Sequence, residues 1–181
     1  MKTIGVVHLK ALPGSPSYEN NLSEIYKSAL EDSTALQNGG VDSIIIENFG
    51  DIPFTKDSIS KLTLAHFTNI AKELSDSLNI DIGINVLRND GESALSIADS
   101  INANFVRINI LSGTMYTDQG IIEGKANKLI KLKNSLSNNI EIYADVFVKH
   151  AVPPIGYTIE NQTEELLLRA GADKIIITGD G

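Results

Sequence analysis

The feature that most constrains the fold is a repeated switch between two hydrophobic periodicities. Six short apolar segments, rich in isoleucine and valine, have the pattern of buried strands, and segments with helical spacing separate them. The strand segments are TIGVVHL, VDSIIIENF, DIGINVL, FVRINIL, IEIYADVFV and DKIIIT. Near-continuous apolar strands that alternate with amphipathic helices predict an α/β fold, with a parallel sheet covered by helices.

The predicted helices have recognisable start and stop signals. Asp90 is of the residue type that caps a helix start, and we expect a short helix from Gly91 to about Ile101. The sequence Asn38-Gly39-Gly40 is typical of a helix end. The apolar stripes of the other predicted helices begin near Leu22, Leu64, Ala126 and Ile159.

A weak internal recurrence favours a barrel. The lead-ins NGGVDSIII, INANFVRIN and RAGADKIII align Gly40, Asn102 and Gly171, at intervals of 62 and 69 residues. Each interval suits two strand–helix units of roughly 30 residues. The sequence thus predicts a (β/α)8 TIM-barrel type fold. A complete six-stranded flavodoxin-like sheet is the alternative. Neither G-x-G-x-x-G after the first strand nor a P-loop motif occurs.

The length allows about six strand–helix units. A (β/α)8 barrel takes about 250 residues, whereas this chain has 181. We therefore expect residues 1–181 to form a single incomplete TIM-barrel domain whose sixth strand is an open edge. Either two units are missing, or a second copy or another chain completes the sheet at that edge.

Composition excludes several classes of partner. The formal charge of −8 argues against general attraction to nucleic acid or anionic lipid. No apolar run approaches the roughly 20 residues of a membrane helix, so we expect no membrane insertion. The absence of cysteine removes disulfides and thiolate chemistry. These features predict a soluble, cytoplasmic protein.

Polar residues gather where the predicted strands end. In parallel barrels, the carboxyl ends of the strands and the following loops build the site. Asp180 follows the sixth strand segment. The candidate site residues are His8, Glu47, Asn48, Asn85, Arg88, Arg107, Asn109, Asp118, Asp145, Lys149 and His150.

Strand alternation predicts which of these side chains meet. Arg107 and Asn109 are two residues apart and share a face, and Asp145 and Lys149 are four apart and share one. Breaking a buried ion pair costs about 3–5 kcal/mol, so these charges and Glu47 should form a mutually compensated cluster. We expect the loop from Ser112 to Gly124 to fold over it.

Several roles fit the charged residues. Glu47 and Asp145 are either a general acid–base pair, ligands that share a divalent cation with Asn48, or structural partners. Lys149 either forms a Schiff base with a carbonyl substrate or contacts a substrate anion.

The remaining candidates are predicted to bind substrate. Arg88 and Arg107 suit an anionic group, whereas Asn48, Asn85 and Asn109 suit hydroxyls. His8 and His150 fit acids, bases or ligands, although no spacing motif connects them. Asp118 either contacts substrate or caps the next helix. The sequence does not specify a cofactor or a metal.

Six motifs together resemble the BtpA/SgcQ family. They are HLKALPGSPSY, GVDSIIIENFGDIPF, INVLRND, RINILSGTMYTDQGIIEG, ADVFVKHAVP and ADKIIITG, in the family's order and over nearly the whole chain. The resemblance implies a TIM barrel related to phosphate-binding barrels. Family members continue through two further units, whose glycine-rich turns are absent here, so the chain resembles an incomplete member.

The resemblance supports two functional hypotheses. The first is an enzyme that binds a small anionic metabolite, either a sugar phosphate or a nucleoside-like compound, at the C-terminal face of the barrel. The alternative is a non-catalytic assembly or stability factor, because the family takes its name from a factor for photosystem I accumulation. The family has no settled reaction.

Overall fold

The computed structural model describes residues 2–178, and Asp180 lies outside the described residues. In chain order the elements are β1 (Ile4–His8), α1 (Leu22–Asn38), β2 (Ser43–Glu47), α2 (Lys61–Ser77), β3 (Asp81–Asn85), α3 (Gly91–Ile101), β4 (Phe105–Ile108), β5 (Thr114–Thr117), β6 (Gly120–Glu123), α4 (Ala126–Lys133), β7 (Glu141–Asp145), β8 (Ala151–Val152), α5 (Ile159–Leu168) and β9 (Lys174–Ile176).

The main sheet has six strands in the order β1-β2-β3-β4-β7-β9. Every neighbouring pair in it is parallel. A doubly wound sheet reverses its strand order at a switch point, whereas this order follows the chain without reversal. The sheet is therefore a curled half-barrel of the TIM-barrel type, as predicted, and the flavodoxin-like alternative is excluded. Within the described sheet, β1 and β9 are the two edges.

The helix boundaries follow the predicted signals. The Asp90 carboxylate accepts a hydrogen bond from the Ser93 backbone N–H at 3.1 Å, and α3 begins at the next residue, as predicted. Helix α1 ends at Asn38, and Gly40 then adopts a φ of +84°. That left-handed conformation favours glycine and turns the chain into β2.

The segment predicted as a loop after the fourth strand is instead a β-hairpin. Strand β5 pairs with β6 and with β8, so three short antiparallel strands form a second sheet. The hairpin turn closes at Gly120, whose φ is +96°. Met115 and Ile122 are buried with Ile110 and Val148 in a small second core. The prediction missed the alternation of buried and exposed residues in two strands of only four residues each.

The two faces of the main sheet carry different kinds of side chain. Residues on one face pack against the helices, and these buried side chains include Val7, Ile44, Ile46, Ile84, Val106 and Ile142. Because side chains alternate along a strand, the residues between them lie on the opposite face, which we call the inner face. The inner face carries the polar residues at the carboxyl ends of the strands.

An aromatic pair lies on the inner face, two residues before the polar residues of the same strands. The rings of Phe105 and Tyr143 stack with their centroids 4.3 Å apart. Two residues further along the same strands are Arg107 and Asp145. Gly83 leaves the room that the Phe105 ring occupies, because a Cβ at this position would overlap that ring.

We predict that Gly83→Ala destabilises the protein by about 1–3 kcal/mol, the usual cost of overpacking a core. Phe105 is buried and stacked, so its ring has little freedom to move aside. Gly39→Ala is the matched control, because Gly39 is exposed at the end of α1 with right-handed dihedrals. Urea unfolding measures both, and equal losses would contradict the prediction.

Candidate active site

Neighbouring strands bring their last inner-face residues into one row. The parallel register pairs His8 with Glu47 and Glu47 with Asn85. The next two strands add Arg107 and Asp145 from the same end of the sheet. Residues that are far apart in sequence thus meet at the carboxyl edge, as the sequence predicts.

Arg107 and Asp145 form the centre of the cluster. The Arg107 Nε and Nη2 atoms donate to the two Asp145 oxygens at 2.9 and 2.8 Å. Asn109 donates a further hydrogen bond to Asp145 Oδ2 at 3.1 Å. The Asp145 side chain is completely buried. Two-pronged pairing of this kind fixes both position and orientation, so Asp145 holds the guanidinium in place.

Glu47 is bound much more loosely. Its side chain lies 3.7 Å from His8 Nε2 and 3.8 Å from Arg107 Nη1, and it makes no hydrogen bond to another described residue. Burial raises the pKa of Glu47, and the positive charge of Arg107 opposes that rise. Burial, with a contribution from Arg107, lowers the pKa of His8. The lowered pKa favours the neutral form of His8, which holds the Glu47 carboxylate less tightly than an imidazolium would.

Asn85 connects the third and fourth strands. Its Nδ2 donates to the Arg107 carbonyl at 2.9 Å and to Asn109 Oδ1 at 3.1 Å. The side chain is 1% exposed, and its Oδ1 has no hydrogen-bond partner within residues 2–178. Asn85 thus offers one buried acceptor at the cluster.

Asn48 and Lys149 do not join this cluster. Asn48 Oδ1 accepts from the Leu87 N–H at 2.7 Å and its Nδ2 donates to Asp51 at 2.9 Å, so its amide ties loops together. The sequence predicts that Lys149 shares a strand face with Asp145. Strand β7 ends at Asp145, however, so strand alternation does not reach Lys149. Lys149 is exposed. The roles predicted for both residues stay predictions.

Three other candidates line one pocket beside the cluster. The pocket has a volume of about 220 Å³ and contains Arg88, Asp118 and His150. Its apolar lining is Phe49, Ile52, Pro53 and Phe54. We call this set of residues the aromatic pocket. Asp118 reaches it from the turn of the β5–β6 hairpin, which is how the segment from Ser112 to Gly124 approaches the site.

Sequence reasoning missed the two phenylalanines of this pocket. Phe49 stacks on His8 with ring centroids 4.3 Å apart, and Phe54 meets Phe49 edge-on at 6.3 Å. Two of the five phenylalanines in the chain lie in the short segment ENFGDIPF. The close spacing of two aromatic residues in a polar loop was the feature of the sequence that could have indicated this pocket.

A metal site has limited support from the side-chain positions. Within residues 2–178, no three His, Asp or Glu side chains are grouped closely enough to hold a metal ion. The predicted alternative of a cation shared by Glu47, Asp145 and Asn48 also needs the Asn48 amide, which Leu87 and Asp51 already engage.

None of the described helices is both long and apolar enough to cross a bilayer.

The fold and the polar row define a parallel barrel-type α/β protein with a candidate site at the carboxyl edge of its strands. The chain belongs to the BtpA family, whose model matches residues 1–181. An uncharacterised protein of Pyrococcus abyssi is 49% identical over 176 residues, which are 97% of this chain and 67% of that protein. The photosystem I biogenesis protein BtpA of Synechocystis is 44% identical over 97% of this chain and 61% of its own length.

The chain thus spans about two thirds of the length of these relatives. Among solved structures, dihydropteroate synthase of Yersinia pestis matches 97% of this chain and 73% of its own, with a TM-score of 0.45 and 12% identity. A likeness at this level says nothing about activity.

We predict that Asp145→Asn lowers the free energy of unfolding by about 3 kcal/mol, the lower end of the range for a buried pair, because it leaves the partly buried Arg107 guanidinium without its charged partner. The matched control is Glu92→Gln, which breaks the exposed pair between Glu92 and Lys128 and should cost less than about 1 kcal/mol. Urea unfolding at pH 7 measures both. Similar losses in the two variants would show that the buried pair is not special.

A second prediction concerns pH. A carboxyl whose pKa is raised by folding binds its proton more tightly in the folded state. Its contribution to stability is therefore present below the unfolded pKa and is lost as pH rises through the folded pKa. The stability of Glu47→Gln relative to wild type should therefore increase as pH rises above about 4, the pKa of an unperturbed glutamate.

Urea unfolding of the two proteins at several pH values tests this expectation. Burial also raises the pKa of Asp51, but Asp51 is present in both proteins and its effect cancels. A stability difference that stays constant or reverses with pH would contradict a raised pKa at Glu47.

Proposed function

We propose that the protein is an enzyme that binds a small anionic metabolite at the carboxyl edge of its sheet and moves a proton through Glu47. The observation that carries this proposal is the state of the Glu47 carboxyl. It is 5% exposed, makes no hydrogen bond to another described residue, and has a raised pKa. General acids and bases work best when their pKa lies near the working pH, and perturbed carboxyls of this kind concentrate at functional sites.

Asp145 has a different task in this proposal. Both of its oxygens already accept hydrogen bonds from Arg107, so neither oxygen is free to exchange a proton with a substrate. Asp145 is therefore a positioning residue for Arg107. Of the two carboxyls predicted as an acid–base pair, Glu47 carries the proton and Asp145 holds Arg107 in place.

Arg107 provides the contact for a substrate anion. Its Nη1 is the terminal nitrogen that does not bond to Asp145, and it lies 3.8 Å from Glu47. A carboxylate or phosphate oxygen bound there would lie within reach of both residues. Its negative charge would raise the pKa of Glu47 further, so that substrate binding itself would favour the protonated acid.

The test begins with a thermal-shift screen of the purified protein against sugar phosphates and nucleosides. A ligand at 100 times its Kd should add about 2.7 kcal/mol to stability. With a substrate in hand, Glu47→Gln should lower kcat by about 10²- to 10⁴-fold while KM changes little. Glu92→Gln, the same substitution on the surface, should leave kcat unchanged. Full turnover by Glu47→Gln would overturn the proton-transfer role.

A non-catalytic assembly role is the second candidate, and one surface feature favours it. The register of the small sheet places Ile121, Tyr116 and Val152 side by side, and all three are exposed. Exposed apolar rows of this kind mark interaction sites, and one relative is named for photosystem I biogenesis. Other relatives come from archaea such as Pyrococcus abyssi, so any assembly role of this chain need not concern a photosystem.

Complementation of a deletion strain separates the two candidates. The enzyme hypothesis expects Glu47→Gln to fail and a Tyr116→Ser, Val152→Ser double variant to restore growth. The assembly hypothesis expects the reverse. Equal expression of the variants, checked by immunoblot, is the control.

A further inference from the structure

The aromatic pocket beside Glu47 has the composition of a binding site. Phe49, Ile52, Pro53 and Phe54 form apolar walls, and Arg88 and Asp118 add one charge of each sign. Phe49 and Ile52 are exposed although both are large and apolar. Its volume of about 220 Å³ lies below the roughly 300–1,000 Å³ of pockets for drug-sized ligands. It therefore suits one ring system and not an entire cofactor.

Arg88 gives independent evidence that the pocket is built for a ligand. The residue is 6% exposed, yet its Nε has no hydrogen-bond partner within residues 2–178. Its Nη2 donates to the Lys149 carbonyl at 2.5 Å, and its backbone N–H donates to the Thr55 carbonyl at 3.2 Å. The first bond orients the guanidinium and the second holds the Arg88 backbone, and the buried Nε donor is left without a partner among the described residues. A buried donor without a partner costs about 1–3 kcal/mol, and a ligand acceptor would offset that cost.

Asp118 supplies the complementary acceptor. It lies in the turn of the β5–β6 hairpin, and its charge is the largest electrostatic attraction on Arg88. One carboxylate oxygen accepts from the Gln119 side chain at 2.5 Å, and the other has no hydrogen bond to a described residue. A donor and an acceptor thus line a pocket with apolar walls.

We propose that the aromatic pocket binds a planar nitrogen heterocycle that carries an acceptor next to an N–H donor, as nucleobases do. Arg88 Nε donates to the acceptor, the Asp118 carboxylate accepts from the N–H group, and the ring stacks on Phe49. Stacking on an aromatic side chain supplies affinity for any flat base, and the polar pair fixes its orientation.

The heterocycle would then be attached to the group on which Glu47 acts. Phe49 stacks on His8 at 4.3 Å, and His8 Nε2 lies 3.7 Å from Glu47. A ring against Phe49 is therefore separated from the proton carrier by two side chains, Phe49 and His8, a span that the sugar of a nucleoside-like compound would bridge. This inference rests on the proposed function, because it names the substrate of the same site as a nucleoside-like anion.

Calorimetric titration of the purified protein with guanosine and uridine tests the proposal. Both nucleosides carry a carbonyl next to a ring N–H. Phe49→Leu, which keeps the apolar volume but removes the flat face, should weaken binding roughly tenfold or more. Arg88→Lys, which keeps the charge but removes Nε, should weaken it as well. Tyr116→Leu, at an exposed aromatic residue outside the pocket, should bind like wild type.

A fluorescent variant separates lost binding from lost folding. The chain contains no tryptophan, so Phe49→Trp keeps a stacking ring and introduces a single reporter. Bound nucleoside should quench its emission, and 1,3-dimethyluracil, whose ring nitrogens carry no hydrogen to donate to Asp118, should not. Absence of quenching by both nucleosides would argue that the ring does not lie on this residue.

The outcomes distinguish this inference from the proposed function. Binding of ribose 5-phosphate but of neither nucleoside would overturn the heterocycle and leave the role of Glu47 standing. Nucleoside binding that Phe49→Leu and Arg88→Lys do not weaken would also overturn it, because the ring would lie elsewhere. Nucleoside binding sensitive to both substitutions, with full turnover by Glu47→Gln, would support the pocket and overturn the proton-transfer role.

Discussion

The pair between Arg107 and Asp145 is the interaction on which the rest of the site depends. A partly buried guanidinium and a fully buried carboxylate are each costly alone, and their two hydrogen bonds offset that cost only in one geometry. The pair joins the fourth and fifth strands of the main sheet and receives Asn109 as a third member. Asn85 then extends the network to β3. With the Arg107 guanidinium fixed in this way, Glu47 remains the loosely held carboxyl beside it.

The sequence predicted this cluster because strand alternation is a strict geometric rule. Arg107 and Asn109 share a face by their spacing alone, and strand order follows from the repeated switch between strand and helix. The six predicted strands and the Asp90 cap were confirmed for the same reason. Local rules were sufficient where each element is long and regular.

Where the chain leaves regular elements, the sequence was less informative. Lys149 lies beyond the end of β7, so alternation no longer specifies its direction. Asn48 resembles a ligand in sequence, but its partners are the Leu87 backbone and the Asp51 side chain, which only the folded loops bring close. The β5–β6 hairpin and the stacking of Phe49 on His8 are likewise products of tertiary packing. Conformations of this kind depend on loop contacts that no periodic pattern records.

The strictly sequential strand order also bears on how the site comes into existence. Each strand of the main sheet pairs with the main-sheet strand that precedes it in the chain, and the bonds between Arg107 and Asp145 span only 38 residues. Contacts of such moderate separation carry a smaller loop-closure cost than a sheet whose termini must meet. During synthesis the row at the carboxyl edge can grow from His8 toward Asp145 as successive strands leave the ribosome. The polar row would then assemble progressively, and Arg107 would already lie in the nascent sheet when its partner Asp145 is translated.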